Sequence, residues 1–476
     1  MSYLIKNNKL VLKYLRLFFY ISILITITTG TYFYIGNKII FLLFGLLSNL
    51  IFLFIFNKKA YFFEIFFSGL LWLGFWYKSL IIIFFNDYQF KEGENSFIKL
   101  TYEDQIQVFD NSLIVICYGL AGFFLACLIK NTLLNNFYNI KKNFKINNTF
   151  LNIKFFIFIC LIFIITYLII TYTNFYLGIY QRGMLSNYSV HFTISAVYKW
   201  LLLFGFSTFI AFIFFFSFQS KIKIYLLSTT SIVETFITNL SFLSRGMIFN
   251  LFAIFIGLYK SNKLYKLKLN LKFFLIYLIS IMCFFYLSVI SVNYFRANVY
   301  FNKTVESKKY DTNKKAFAEF LLLSKTRWVG IDALISVETF EGKSFYFFKQ
   351  SFKDQFDKNK IPFYERNVQK RIKTENKATQ YGITTPGIIA FLYYTGSKNF
   401  VFFIIFLISI LFLTFERFVF IVFKNPILCS MLSQVLAYRL IHFGYLPQNT
   451  YLLLTSILIT IIGLFFIKKF LTNKPI

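Results

Sequence analysis

The sequence predicts an all-α polytopic membrane protein with about twelve transmembrane helices, cytoplasmic N- and C-termini and one long extracytoplasmic loop. Three observations carry this expectation. Of 476 residues, 58% are hydrophobic and 14% charged, and mean hydropathy is +0.65; a soluble domain has roughly a quarter of its residues charged. The apolar residues form uninterrupted runs long enough to cross ~30 Å of hydrocarbon, not the alternating ten-residue segments of a barrel. Because lipid offers no partners to free amides, such runs must be helices. Finally, Lys and Arg recur in every second loop.

The runs fall near 15–34, 38–56, 61–85, 111–130, 154–173, 195–217, 224–243, 247–260, 271–291, 398–415, 426–443 and 449–467. With Lys6, Lys9, Lys13 and Arg16 inside, the loops holding Lys58–Lys59, Lys141–Lys142–Lys145, Lys221–Lys223 and Lys260 to Lys272 fall on the cytoplasmic side, as do Lys468 and Lys469. The loop 86–110 falls outside and carries Asp87, Glu92, Glu94, Glu103 and Asp104. The first run leads into further spans rather than to a small-residue cleavage site, so no cleaved leader is expected. Three parts follow: a nine-helix bundle over 1–291, an extracytoplasmic loop over 292–397, and three C-terminal helices over 398–476.

The formal charge of +31 does not imply nucleic acid, because the charge is parcelled into short loops as orientation signals are. The 71 Phe and 33 Tyr, with abundant Ile, Asn and Lys, look like AT-rich coding. Cys117, Cys127, Cys160, Cys283 and Cys429 all lie in apolar runs and read as small packing residues.

The segment 292–397 is basic, but loops of this length translocate regardless of charge. Within it, 314–337 reads as an amphipathic helix, with Phe317, Phe320, Leu321, Trp328, Ile331 and Ile335 on one stripe. Arg327 lies at the stripe's edge; Lys325 and Asp332 lie on its other flank. Such a helix would lie along the outer membrane surface or cap a cavity among the spans.

Four arginines, Arg182, Arg245, Arg296 and Arg327, fall at the outer face next to apolar sequence. Residues 224–260 are too long for one span, so the chain must turn near Ser244-Arg245-Gly246, with Gly246 permitting the bend. Arg is permanently charged and its planar fork matches phosphate oxygens, so a group of them at the outer leaflet suits a lipid pyrophosphate. Singly, each would read as an arginine snorkelling at a span end. Glu234 lies mid-span among Thr229, Thr230, Ser231, Thr235, Thr238 and Asn239, either as a proton relay or as a carboxyl hydrogen-bonded to its neighbours. His442 follows Arg439 at the outer end of its span; it is a candidate base or a structural helix-end residue, and His191 is the only other histidine. No Asp-x-Asp pair, phosphate loop, nucleophile elbow or metal-ligand cluster is present, which fits metal-free chemistry without a cofactor.

The pattern resembles the Wzy-type polymerases of bacterial oligosaccharide repeat units. The likeness rests on Leu243-Ser244-Arg245-Gly246, Arg182-Gly183, Thr326-Arg327-Trp328-Val329-Gly330, and Thr385-Pro386-Gly387 followed by Tyr393, Tyr394 and Gly396. The layout of about twelve spans, with a large outer loop before the last three, agrees. The resemblance implies a GT-C-like, metal-independent glycosyltransferase of the cytoplasmic (inner) membrane. It would transfer a growing chain from undecaprenyl pyrophosphate to a hydroxyl of the next lipid-linked unit, with a chain-length regulator as a candidate protein partner. Under that reading Arg245 and Arg327 lead the stabilisation of the leaving pyrophosphate, followed by Arg182, Arg296 and Arg439. His442 and Asp332 are the candidate bases, and Trp328 or nearby tyrosines would stack on sugar rings. An O-antigen ligase, resting on His442, and a lipid-linked oligosaccharide flippase are the alternatives. A flippase should show two similar halves, and none is seen.

Overall fold

A computed structural model describes residues 2–57, 59–85, 100–133, 153–181, 190–217, 224–265, 267, 269–300, 328–354, 362–369, 385–444 and 447–472. Among them the regular structure is entirely helical. We label the helices α1 (Ser2–Phe33), α2 (Lys38–Phe52), α3 (Phe62–Leu71), α4 (Lys78–Phe85), α5 (Tyr102–Leu133), α6 (Ile153–Leu177), α7 (Phe192–Trp200), α8 (Phe206–Ser217), α9 (Ile224–Phe242) and α10 (Ile248–Tyr265). Next come α11 (Leu271–Tyr300), the short helices α12 (Ile331–Glu338), α13 (Phe345–Ser351), α14 (Phe363–Asn367) and α15 (Gly387–Leu392), and then α16 (Lys398–Phe423), α17 (Pro426–Ile441) and α18 (Gln448–Thr472).

Every apolar run of the sequence is helical. Among the described residues, eight helical stretches are long and apolar enough to cross a membrane: Lys38–Phe56, Phe62–Phe85, Tyr102–Lys130, Lys154–Leu177, Phe192–Phe214, Leu271–Arg296, Lys398–Phe423 and Thr450–Leu471. Leu17–Phe33 and Pro426–Ile441 are shorter apolar helices. The pair α9–α10 is not among the eight, and both helices carry buried polar groups, including Ser231, Glu234, Thr235, Asn239 and Asn250. The chain is therefore a helical membrane protein of several passes.

Breaks between helices follow from local chemistry. The Asn37 carboxamide accepts from Ile39 N and Ile40 N to start α2; Asn425 does the same for α17, with Pro426 in the first turn. The α9–α10 turn falls between Phe242 and Ile248, around Ser244-Arg245-Gly246 as the sequence expects. Gly246 does not adopt the left-handed conformation; Leu243 does, at φ 49°. Ser244 N reaches back to Asn239 O at 3.0 Å, the closure of a Schellman-type helix end. The strain of left-handed backbone on a leucine, of order 1–3 kcal/mol, is offset by burial of its side chain.

The core is built around α17, whose residues Pro426 to Ala437 are all buried. It packs against α3, α8, α10 and α16. Gly257 of α10 permits this closeness: a Cβ there would lie 2.6 Å from Ile427 Cα. At one end of the bundle α3 begins amid buried charge. Glu416 of α16 accepts from Phe62 N and Phe63 N, each at 2.8 Å, and from Ser433 Oγ at 3.0 Å. Glu64 accepts from Tyr61 N at 2.7 Å and pairs with Lys130 Nζ at 2.5 Å. Lys260 Nζ lies 4.5 Å from the centroid of the Phe62 ring and donates to Ala60 O. We call this the charged end. The short helices α12 to α15 gather at the other, the loop end.

A candidate functional site at the loop end

Two wide π-helical turns interrupt the apolar helices, Trp72–Tyr77 between α3 and α4 and Leu201–Gly205 between α7 and α8. The first receives the chain that precedes α12. Gly74 and Gly330 meet backbone to backbone: a Cβ on Gly330 would lie 2.0 Å from Gly74 O, and one on Gly74 would lie 2.1 Å from Val329 O. Only two glycines allow that contact. Beside it, Lys78 Nζ donates to Trp328 O at 2.9 Å and pairs with Asp332 Oδ2 at 2.5 Å. The second oxygen, Asp332 Oδ1, is buried without a hydrogen-bond partner.

The sequence had left α12 either on a membrane surface or capping a cavity. Ile331, Leu334 and Ile335 are fully buried, so the described part packs within the protein. Asp332, on a flank of the apolar stripe, pairs with Lys78. Residues 314–327 of the expected helix lie outside the described residues.

Val329 leads to a second contact. A Cβ on Gly387 would meet Val329 Cγ1 at 3.1 Å and Ile441 O at 3.0 Å, and Gly387 N donates to Phe443 O at 2.9 Å. The stretch Thr385-Pro386-Gly387 is thereby seated between the Trp328-Val329-Gly330 stretch and the end of α17. There the His442 ring stacks on Tyr438 with centroids 4.1 Å apart. His442 Nδ1 lies 2.9 Å from Tyr438 O. A carbonyl only accepts, so Nδ1 carries the hydrogen and the lone pair of the neutral ring sits on Nε2. Phe249, four residues past Arg245, touches both neighbours: its ring is 6.4 Å from that of Trp328 and 5.5 Å from that of Tyr438. An aromatic chain Trp328–Phe249–Tyr438–His442 thus joins the loop, α10 and α17.

Three of the arginines singled out from sequence are described, and each is held by a neighbouring helix or turn. Arg245 donates to Asn293 Oδ1 of α11, and one turn on Arg296 Nε donates to Leu243 O at 2.8 Å. Both guanidinium groups therefore meet at the α9–α10 turn. Arg439 Nε donates to Thr450 Oγ1 at 3.2 Å. Its charge opposes that of Lys199, whose Nζ lies 5.5 Å from the centroid of the Tyr180 ring. Tyr180 in turn packs on Phe242 at 5.0 Å, which leads back to Leu243.

Of the eight residues singled out from sequence, six are described and all six lie at the loop end. Trp328 and Asp332 share Lys78; His442 joins Trp328 through two rings; Arg245 and Arg296 share one turn; Arg439 faces α18. Arg182 and Arg327 lie outside the described residues. Lys78, Lys199, Tyr438 and Phe249 were missed. For the two lysines a signal existed, since each is an ionisable side chain within an apolar run. Among the described residues no group of three or more His, Cys, Asp or Glu is placed to hold a metal ion.

Compared with protein families, curated proteins and solved structures, the chain matches none. The fold and this gathering of residues define a class, a multi-pass helical membrane protein with a cation-rich polar site at one end of its bundle. Chemically, this end of the bundle holds guanidinium groups, whose planar fork matches anions, beside an imidazole, His442, and a carboxylate, Asp332.

Proposed function

We propose that this chain polymerises lipid-pyrophosphate-linked oligosaccharide units at the outer face of the cytoplasmic membrane, as a metal-independent glycosyltransferase with a GT-C-like helical bundle. In this reading about twelve spans, with both termini inside, would leave the loop end outside; the Lys/Arg alternation supports that orientation. The observation that carries the proposal is the convergence at the loop end of four stretches distant in sequence, 243–249, 328–332, 385–387 and 438–442. These include three of the four patches on which the family resemblance rests.

In this reading His442 or Asp332 takes the proton of the acceptor hydroxyl, whose oxygen bonds to the donor's anomeric carbon. The carbon–oxygen bond to pyrophosphate breaks, and the pyrophosphate leaves with the electron pair. Arg245 and Arg296, with Arg327 and Arg182, stabilise that developing charge. Trp328 offers an aromatic face to sugar. The substrates are undecaprenyl-pyrophosphate-linked oligosaccharides held in membrane lipid, and a chain-length regulator is the expected protein partner.

The test is a gel of surface polysaccharide from cells lacking the gene. Lipid core capped by one repeat unit, with a ladder restored by the wild-type gene, is the expected result. Loss of even the single capped unit, with lipid-linked polymer accumulating, identifies the ligase instead; that alternative rests on the same His442. Absence of any outer-face unit points to the flippase.

A further inference from the structure

Glu234 lies in α9, 4% exposed, away from the residues used above. Among the described residues, every group hydrogen-bonded to its carboxyl is a hydroxyl. Ser207 Oγ of α8 is 3.2 Å from Oε1 and 3.3 Å from Oε2. Thr238 Oγ1 is 3.3 Å from Oε1, and Thr235 Oγ1 is 3.3 Å from Oε2. From the other packed helices come Tyr167 of α6, whose hydroxyl donates to Glu234 O at 2.9 Å, and Asn250 of α10, whose Nδ2 donates to Ser207 Oγ at 3.3 Å. Tyr277 of α11 meets Ser231 Oγ at 2.7 Å. Among the described residues no charged side chain faces Glu234.

A carboxylate in such a place is costly unless a cation reaches it. Hydroxyls bonded to a carboxylate also draw in to ~2.5–2.7 Å, and none of these contacts is that short. Proton counting gives the same answer. A hydroxyl has one hydrogen, and of its two contacts Thr235 Oγ1 makes the shorter one to Ser231 O, at 2.9 Å, which can only accept. The contact between Thr235 Oγ1 and Glu234 Oε2 is then complete only if Oε2 supplies the hydrogen. With a proton there, a single ordered chain runs from Asn250 through Ser207 and Glu234 to Thr235 and Ser231 O, with each link having one donor and one acceptor.

We propose that Glu234 is a proton-binding site inside the bundle, its carboxyl held uncharged at neutral pH with the hydrogen on Oε2. The ligand is the proton itself. Its release would leave an anion among α6, α8, α9 and α10 and remove the donor to Thr235, so occupancy of the site governs how these helices hold together. The inference does not depend on the polymerase reading.

The experiment is infrared spectroscopy of the full-length protein in lipid nanodiscs at neutral pH, with glutamate δ-carboxyls carbon-13 labelled. Wild type should show the carbonyl stretch of a protonated carboxylic acid, shifted by the label, and Glu234→Gln should lack it while melting within a few degrees of wild type. In wild type alone the band should fade as pH is raised. A wild-type spectrum without that band overturns the proposal. So does a melting temperature that rises with sodium chloride but not choline chloride and loses that response in Glu234→Gln, because the site would then hold sodium.

Discussion

Glu416 caps a helix that begins 354 residues earlier, its Oε1 accepting from the backbone amide of Phe62 at 2.8 Å. The first amides of a helix have no partner within it and carry partial positive charge. Here a buried carboxylate from α16 takes two of them, together with the Ser433 hydroxyl, so one side chain ties α3, α16 and α17. Replacing Glu416 with Ala strands three buried donors. We expect a loss of about 3 kcal/mol, read as a lower melting temperature in detergent. An unchanged melt would mean the cap is dispensable.

The pair Lys78–Asp332 should show coupling. Lys78→Met leaves Asp332 as a buried, uncompensated anion and removes the donor to Trp328 O, so it should destabilise strongly. Lys78→Met combined with Asp332→Asn should be more stable than Lys78→Met alone, with a coupling of about 1–3 kcal/mol. Additive effects across the double-mutant cycle would show that the two side chains act separately.

At Gly330 the limit is steric. An added methyl would lie 2.0 Å from Gly74 O, and backbone on both sides leaves no flexible group to yield. Gly330→Ala should therefore displace the chain before α12 and unseat Trp328. A cysteine placed at Val329 reads this out: protected from a membrane-impermeant maleimide in the parent, it should label in the Gly330→Ala background.

Arg245→Ala and Arg296→Ala should each abolish or severely shorten the polysaccharide ladder at normal protein level, by ~10²–10³ in rate per lost donor. Arg245→Lys should not restore it, because an ammonium lacks the planar fork. Full ladders from both alanine variants would remove these arginines from the site.

The helices were legible because each is an uninterrupted apolar run, and lipid allows such a run one backbone solution. Their pairing was not. Nothing near Phe62 in sequence announces Glu416, and the Lys78–Asp332 contact joins two residues whose separation conceals it. Lys78 could have been flagged, as Glu234 was, because an ionisable group in an apolar run must find company. The α9–α10 turn was visible from the length of 224–260, but not that Leu243 is its left-handed residue. A leucine takes that conformation only when packing and hydrogen bonds compel it, and those come from tertiary contacts. Six of the eight selected residues do lie at one end of the bundle, since arginines beside apolar sequence mark span ends. Which of them share a partner was set by α11 and α17, which the local patterns do not describe.

The position of α17 has a consequence for biogenesis. This helix occupies the centre of the bundle, yet it leaves the ribosome after nearly all of its neighbours. The earlier helices must therefore wait in the bilayer around an unfilled slot, with the Glu416 carboxylate still lacking the Ser433 hydroxyl. Closure has to wait for α17, and a chain cut short before residue 426 would present that open slot to the membrane's quality-control proteases rather than fold as a smaller bundle.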